Sequence, residues 1–359
     1  MKLNGTLMQR NVAALMLFCS MGICLPASGL YGQAPPTAPP AGAVTPAVLP
    51  TATAPFQASP VALPPNPPLP VSLNLGSWLG RSTVYISVNG RPERLGLSTG
   101  LNANAVSPAT MARLQIPEGK TKVRVDILDR ETEAPETMLA SLQFGLVKLE
   151  NVPVAQVDVV ALLSHAPHPD APGGWLGTPF LSAFQITLDI SRKVCVLNRP
   201  LVKMPAGAMV VPMTLRDGRI YVPMTLPKSK PFPALLDSSA VLSLIPASVG
   251  EKLKLPAVET FKLGGAGGKE VPATMIEAPT VAVGKAECKA MRVVYLSADS
   301  SPSFGRETAV LGLDFLSRFR VVLDFAAKKV AFVPLVSPDS DTTPKPDAPR
   351  PKTVSPRHP

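Results

Sequence analysis

The feature that most constrains this 359-residue chain is that it repeats itself. Trp175-Leu176-Gly177-Thr178-Pro179-Phe180-Leu181-Ser182-Ala183-Phe184 returns 135 residues later as Val310-Leu311-Gly312-Leu313-Asp314-Phe315-Leu316-Ser317-Arg318-Phe319. In both copies an alternating apolar run follows and ends in an aspartate, Asp189 or Asp324. Upstream, Val84-Tyr85-Ile86-Ser87-Val88 leads to Leu95-Gly96-Leu97-Ser98-Thr99-Gly100. Its counterpart is Ile220-Tyr221-Val222-Pro223-Met224 leading to Ala234-Leu235-Leu236-Asp237-Ser238-Ser239, with the offset growing from 136 to 139. A three-residue insertion in the second hairpin explains the drift. The body is therefore two homologous lobes, 71–200 and 206–336.

Within each lobe the period is that of strands. Val84, Ile86 and Val88 alternate with Tyr85, Ser87 and Asn89, and Phe184, Ile186, Leu188 and Ile190 alternate with polar or small residues, as do Phe319, Val321, Leu323 and Phe325 in their own stretch. Asn89-Gly90 and Asp217-Gly218 are dipeptides that tolerate positive φ in tight hairpins. Helical pattern is confined to Pro108 to Leu114, Pro246 to Leu253 and Pro179 to Ala183, and in the first two a proline sits where a first helical turn accepts it. The fold class predicted is mainly β, two homologous lobes with a few short helices.

The ends differ in kind. Lys2 and Arg10 precede the apolar run Val12 to Ala27, and small residues follow, the order of a secretory signal peptide over 1–34. Secreted or periplasmic localisation is expected, with membrane contact only through this N-terminal segment where it stays uncleaved. Residues 35–70 hold 13 prolines and no charge, a composition for a polyproline spacer. The tail 337–359 is again Pro-rich, with mixed charge, and is expected to be disordered. Of the four cysteines only Cys195 and Cys288 lie beyond the signal, and sequence leaves open whether they pair. The net charge of +10 is spread along the chain with no Lys/Arg run, so nucleic acid is not an expected partner.

Each lobe resembles a retropepsin-like aspartic protease unit of the bacterial type, here present twice in one chain. The resemblance rests on Val88-Asn89-Gly90 to Gly100, Trp175-Leu176-Gly177 and Phe184 to Leu197 in the first lobe. Leu235 to Ser239, Val310-Leu311-Gly312 and Phe319 to Val333 carry it in the second. It implies two acid-protease β lobes, a cleft between them that takes an extended peptide or protein segment, and one Asp-Thr/Ser-Gly motif from each lobe. The two carboxylates of such a site share a proton, one acting as base on a water while the other donates to the scissile carbonyl.

Both motifs depart from that pattern. Ser98 stands at the first Asp position, followed by Thr99 and Gly100; the second motif keeps its acid as Asp237, followed by Ser238 and Ser239. The resemblance assigns loop-linking roles to Thr99 and Ser238, with Gly100 and Ser239 at the lobe junction, and a flap tip to Gly264, Gly265, Gly267 and Gly268. In the first lobe Lys120 to Met138 takes the flap position, and its charge run Asp126, Asp129, Arg130, Glu131, Glu133 and Glu136 reads as a solvated hairpin face. His165, His168 and Asp170 lie in a Pro-stiffened loop with no third histidine nearby, so no metal is expected, nor any other cofactor. The function expected is an exported peptidase homologue with lost or weak proteolysis, as a monomer or homodimer. The alternatives are an active aspartic endopeptidase built on Asp237, including an Asp237 pair across a dimer, and a structural envelope or adaptor protein.

Overall fold

The computed structural model describes residues 58–127, 130–163, 170–264, 270–296 and 309–335. These form 22 strands and five short helices in three sheets. Two of the sheets have eight strands each, and they are the same sheet built twice. In the first the order is Gly76–Trp78, Arg81–Val88, Arg91–Leu97, Gly174–Leu176, Ala105–Val106, Val147–Gln156, Arg130–Phe144, Thr121–Ile127. The second runs Thr214–Arg216, Arg219–Thr225, Phe232–Leu236, Ala309–Leu311, Leu244–Ile245, Ala286–Leu296, Glu270–Val283, Ala257–Gly264. The repeated residues dictate this. Val84, Ile86 and Val88 are buried while Tyr85 is 70% exposed, and Ile220, Val222 and Met224 do the same in the second lobe. The hairpins turn where the dipeptides allow it, with φ of +51° and +81° at Asn89-Gly90 and +49° and +73° at Asp217-Gly218. Register corrects the expected three-residue insertion: Thr83 pairs with Gly96 and Tyr221 with Leu235, so these strands correspond at an offset of 138 rather than 136, and the wider turn 226–231, closed by Ser229 on both backbone groups of Leu226, holds one extra residue.

The third sheet joins the lobes. Its six strands run Val71–Asn74, Val194–Asn198, Gln185–Asp189, Phe319–Asp324, Lys329–Pro334, Met209–Pro212. At its centre the closing strands of the two copies pair antiparallel, Gln185 opposite Asp324 and Asp189 opposite Arg320, and Gln185 Nε2 donates to Asp324 Oδ2 at 2.8 Å. Asp189 and Asp324 also cap the turns that follow them, accepting from Arg192 N and Ala327 N, in keeping with their place at strand ends. Under this sheet each lobe places an aromatic triad, Phe144–Phe180–Phe184 and Phe315–Phe319–Phe332, with ring centroids 5.2–5.9 Å apart. Phe180/Phe315 and Phe184/Phe319 are repeat equivalents. The third ring comes from different strands, so the same packing is reached by two routes. Burial of each ring contributes about 1.5–3 kcal/mol, and one apolar core runs from Val61 through both lobes to Phe332.

Three of the five helices carry a proline at the cap or in the first turn. Pro108–Leu114 is capped by Ser107, whose Oγ accepts from Thr110 N at 3.2 Å. Ala247–Leu253 begins after Pro246, which occupies the cap rather than the first turn. Thr178–Leu181 and Leu313–Leu316 are repeat equivalents, and Val159–Leu163 has no counterpart among the described residues. None of these helices is long and apolar enough to cross a membrane.

Two expectations need correction. The spacer does not extend free to Pro70, because Val61 is buried in the common core with Leu63 and Leu69 against it. Ser59 bonds the Glu136 carboxylate, and Arg199 donates to Pro67 O. Apolar side chains between the prolines gain more by docking than by staying in water. The first-lobe charge run is not wholly a solvated face either: Glu131 and Glu133 are 65% and 71% exposed, but Asp126 is 1% exposed and bonded on both carboxylate oxygens. The rest of the expected linker, the expected signal segment and the tail lie outside the described residues.

Cys195 and Cys288 sit in different sheets as free, buried thiols. Burial pushes them up to about 12 and about 11, so the reactive thiolate is scarce near neutral pH. Neither should react with a thiol reagent in the native state, whereas both should on unfolding; stoichiometric native labelling contradicts this environment. Burial also pushes the Asp314 carboxyl above the usual carboxylate range, against the bonds it accepts from Ser243 and Phe315. The folded state then holds this proton more tightly than the unfolded chain, so stability falls as pH rises through that window. Denaturant titrations across acid pH should show this slope, and Asp314→Asn should lack it.

Candidate functional site

The strands Arg91–Leu97 and Phe232–Leu236 each pair in parallel with the apolar strand of their lobe, Leu97 beside Leu176 and Leu236 beside Leu311. The chain then leaves each sheet under the same tether, Ser98 N to Leu176 O and Asp237 N to Leu311 O, both 3.0 Å. The two loops meet at the seam between lobes. Thr99 Oγ1 donates to Leu236 O at 2.6 Å and accepts from Ser238 N at 2.9 Å. Ser238 Oγ donates to Leu97 O at 3.3 Å and accepts from Thr99 N at 3.2 Å. This reciprocal lock is dry, with Thr99 0% and Ser238 1% exposed, and each of its bonds contributes about 0.5–1.5 kcal/mol.

Asp237 lies beside the lock, 3% exposed. Its Oδ1 accepts from Ser239 N at 2.8 Å, Ser239 Oγ at 2.7 Å and Ser98 Oγ at 3.3 Å, and the two serine hydroxyls are 2.9 Å apart. The Gly100 backbone crosses directly against this carboxylate; a Cβ there would stand 2.4 Å from Asp237 Cγ. By the symmetry of the lock, position 239 crosses against residue 98 in the same way. A side chain fits at Ser239 because Ser98 is shorter than an aspartate, and the Ser239 hydroxyl reaches towards it. Ser98 and Ser239 thus form a compensating pair, one departure from the motif making room for the other.

Sequence reasoning missed the groups around this centre. Gly80 in the turn after Trp78 lies against Val241 of the other lobe, a Cβ there being 3.5 Å from Val241 Cγ2. Arg81 follows, half-buried, its guanidinium 5.9 Å from the Trp78 ring and within electrostatic reach of Asp237. Trp78 meets Trp175 edge-on at 6.3 Å. Across the seam the equivalent turn puts Gly218 against Asn102 and Arg219 Nη2 3.7 Å from Asp126 Oδ2. Asn102 Oδ1 accepts from Asp126 N at 2.7 Å, and Arg124 Nε donates to Asp126 Oδ1 at 2.8 Å. The first-lobe hairpin is thereby fastened to the second lobe, and its Val123, Val125 and Ala134 pack with Trp78, Trp175 and Leu101. An arginine directly after a two-residue turn in both copies was the available signal.

Of the flap residues, Gly264 ends the strand Ala257–Gly264, while Gly265, Gly267 and Gly268 lie outside the described residues, as do His165 and His168. Asp170 is exposed. Among the described residues no three His, Cys, Asp or Glu side chains gather as a metal would require. A pocket of about 150 Å³ at the seam is lined by Asn102, Thr178, Asp217 and Phe325, away from Asp237.

The lock should govern stability. Thr99→Val leaves Leu236 O and Ser238 N buried without partners and should cost about 2–4 kcal/mol, read by equilibrium unfolding. A loss below about 0.5 kcal/mol would show that the lock does not hold the seam. Residues 84–180 match a family model described as aspartyl protease, and residues 226–318 match that of the gag-polyprotein aspartyl protease. Basic 7S globulin from soybean is similar in structure at 12% identity, with 74% of this chain and 94% of that chain covered and a TM-score of 0.46. No curated protein matches the sequence. The chain carries, in tandem, two lobes of the retropepsin-like aspartic protease family.

Proposed function

We propose that this protein is an exported retropepsin-like peptidase homologue that holds an extended peptide or protein segment between its lobes and has lost, or nearly lost, proteolysis. The observation that carries the reading is Ser98 at the place of the first carboxylate. A dyad works because two adjacent acids share one proton, so that one can accept from water while the other donates. Ser98 brings a hydroxyl whose proton is directed at Ser239 or Asp237, and it can neither accept a proton near neutral pH nor hold one in reserve. Asp237 stands alone, its Oδ1 accepting from Ser239 N and Oγ and from Ser98 Oγ. Export rests on Lys2, Arg10 and the apolar run after them. An Asp237 pair between two chains is disfavoured, since Asp237 is buried against Gly100 of its own chain.

The test is cleavage of a diverse peptide mixture from acid to neutral pH, read by mass spectrometry. The unaltered chain and Asp237→Asn should both leave it intact. Ser98→Asp alone should remain inactive, because Ser239 blocks the carboxylate. Ser98→Asp with Ser239→Gly should gain cleavage at acid pH. Cleavage by the unaltered chain that Asp237→Asn abolishes would establish a working endopeptidase instead, and a rate rising with the square of protein concentration would place its site in a dimer.

A further inference from the structure

Register allows the two halves of the seam to be compared position by position. Arg81 and Arg219 are equivalents, each the first residue after a turn and each paired across it, with Trp78 and with Arg216. The residue facing each turn from the other lobe is Val241 for the first and Asn102 for the second, and the 139-residue offset of the motifs makes these two equivalents as well. The third position follows from the strands. Ala105 pairs with Ala155, Ala155 with Glu136 and Glu136 with Thr121; in the second lobe Leu244 pairs with Val294, Val294 with Met275 and Met275 with Glu259. Five residues beyond Thr121 is Asp126. Five beyond Glu259 is Gly264.

One half of the seam is thus complete, Arg219 meeting Asp126 with Asn102 bonded to that carboxylate. The other half keeps the arginine and has lost both polar partners, to Val241 and Gly264. Arg81 bears the marks of that loss. Among the described residues its one hydrogen bond is a long one, 3.4 Å from Nη1 to Leu79 O in its own turn. No carboxylate lies within 4 Å of it among the described residues, although the charge of Asp237 acts on it from farther away. Burial lowers its hold on the proton and Asp237 partly restores it, as for a cation short of a partner. Trp175, joined to the Arg81 platform through Trp78, has a buried donor, Nε1, without a partner among the described residues. A buried cation without a carboxylate is costly, and Arg81 stands within electrostatic reach of the candidate site, on the lobe that contributes no acid.

We propose that Arg81 receives a carboxylate of the bound peptide, in the position that Asp126 fills for Arg219. This deepens the peptide-binding reading and rests on it. The carboxylate is that of an Asp or Glu side chain or of the peptide's C terminus, a chemistry that a guanidinium recognises with charge-assisted bonds. The preference is built into one half of the seam, so it fixes the direction in which an extended peptide lies. In a symmetric site both directions would be equivalent.

The chain's two tryptophans, Trp78 and Trp175, make their fluorescence the direct readout. The probes are acetylated octapeptides of Ala, Val and Leu with one Glu scanned along them, the same series with Gln, and the Ala/Val/Leu peptide with free or amidated C terminus. One register of the Glu series, or the free C terminus, should bind about 10-fold or more tighter than its neutral counterpart, and which arm shows it identifies the source of the carboxylate. Arg81→Gln should erase the difference between acidic and neutral peptides, and Arg81→Lys should keep part of it. Should Arg81→Gln fail to fold, Val241→Asp offers an internal carboxylate opposite the turn and should likewise remove the preference. Equal binding of acidic, neutral, free and amidated peptides would overturn this proposal and leave the peptide-binding reading standing. Failure of every peptide to bind a folded chain would overturn both.

Discussion

Two hydroxyls hold this molecule in register. Thr99 and Ser238 each donate to a carbonyl of the opposite lobe and accept from the other's amide, so two hydroxyls and four backbone groups at the centre of the seam satisfy one another. The lock asks nothing of the residues that precede it in each motif. It fixes where residues 98 and 237 stand but not what they are, which is why a serine can replace an acid while the frame around it keeps its shape. The cost of altering Thr99 or Ser238 is structural, whereas the cost of altering Ser98 or Asp237 is chemical.

The departures from symmetry are coupled rather than scattered. Gly100 must be glycine because Asp237 lies against it, and Ser239 is admitted because Ser98 does not fill the same space. The hairpin of the first lobe is fastened through Asp126 to Arg219, whereas Gly264 offers no side chain to Arg81. Two halves that began alike have become a fastened half and an open one.

Much of this was legible in the residues. The repeat gave the two lobes, the alternation gave the strands, and Asn89-Gly90 and Asp217-Gly218 gave the turns, because each depends on neighbours a few residues apart. The pairing of Thr99 with Ser238 was likewise reachable, since the motif names both members. What stayed hidden depends on contacts across the seam. Asp126 looks like any charge in a polar run until Arg219 and Asn102 are brought to it, and Arg81 looks like a surface arginine until Trp78 and Val241 surround it. The docking of residues 58–70 was obscured by their prolines, because composition describes how a segment behaves alone and not whether Val61 finds a core.

The central six-stranded sheet makes the order of synthesis matter. Gln185–Asp189 is an interior strand of that sheet only once Phe319–Asp324 has paired with it, and more than a hundred residues separate the two. Until then the first lobe carries an open, apolar edge with Ile186 and Leu188 unprotected, the kind of edge on which chains add to one another. Such distant pairing is also slow to form. A chain that emerges from its N terminus must therefore keep a half-built lobe out of association until the second copy arrives. The duplication that lets a single chain complete its own seam leaves it exposed during the interval before the second half exists.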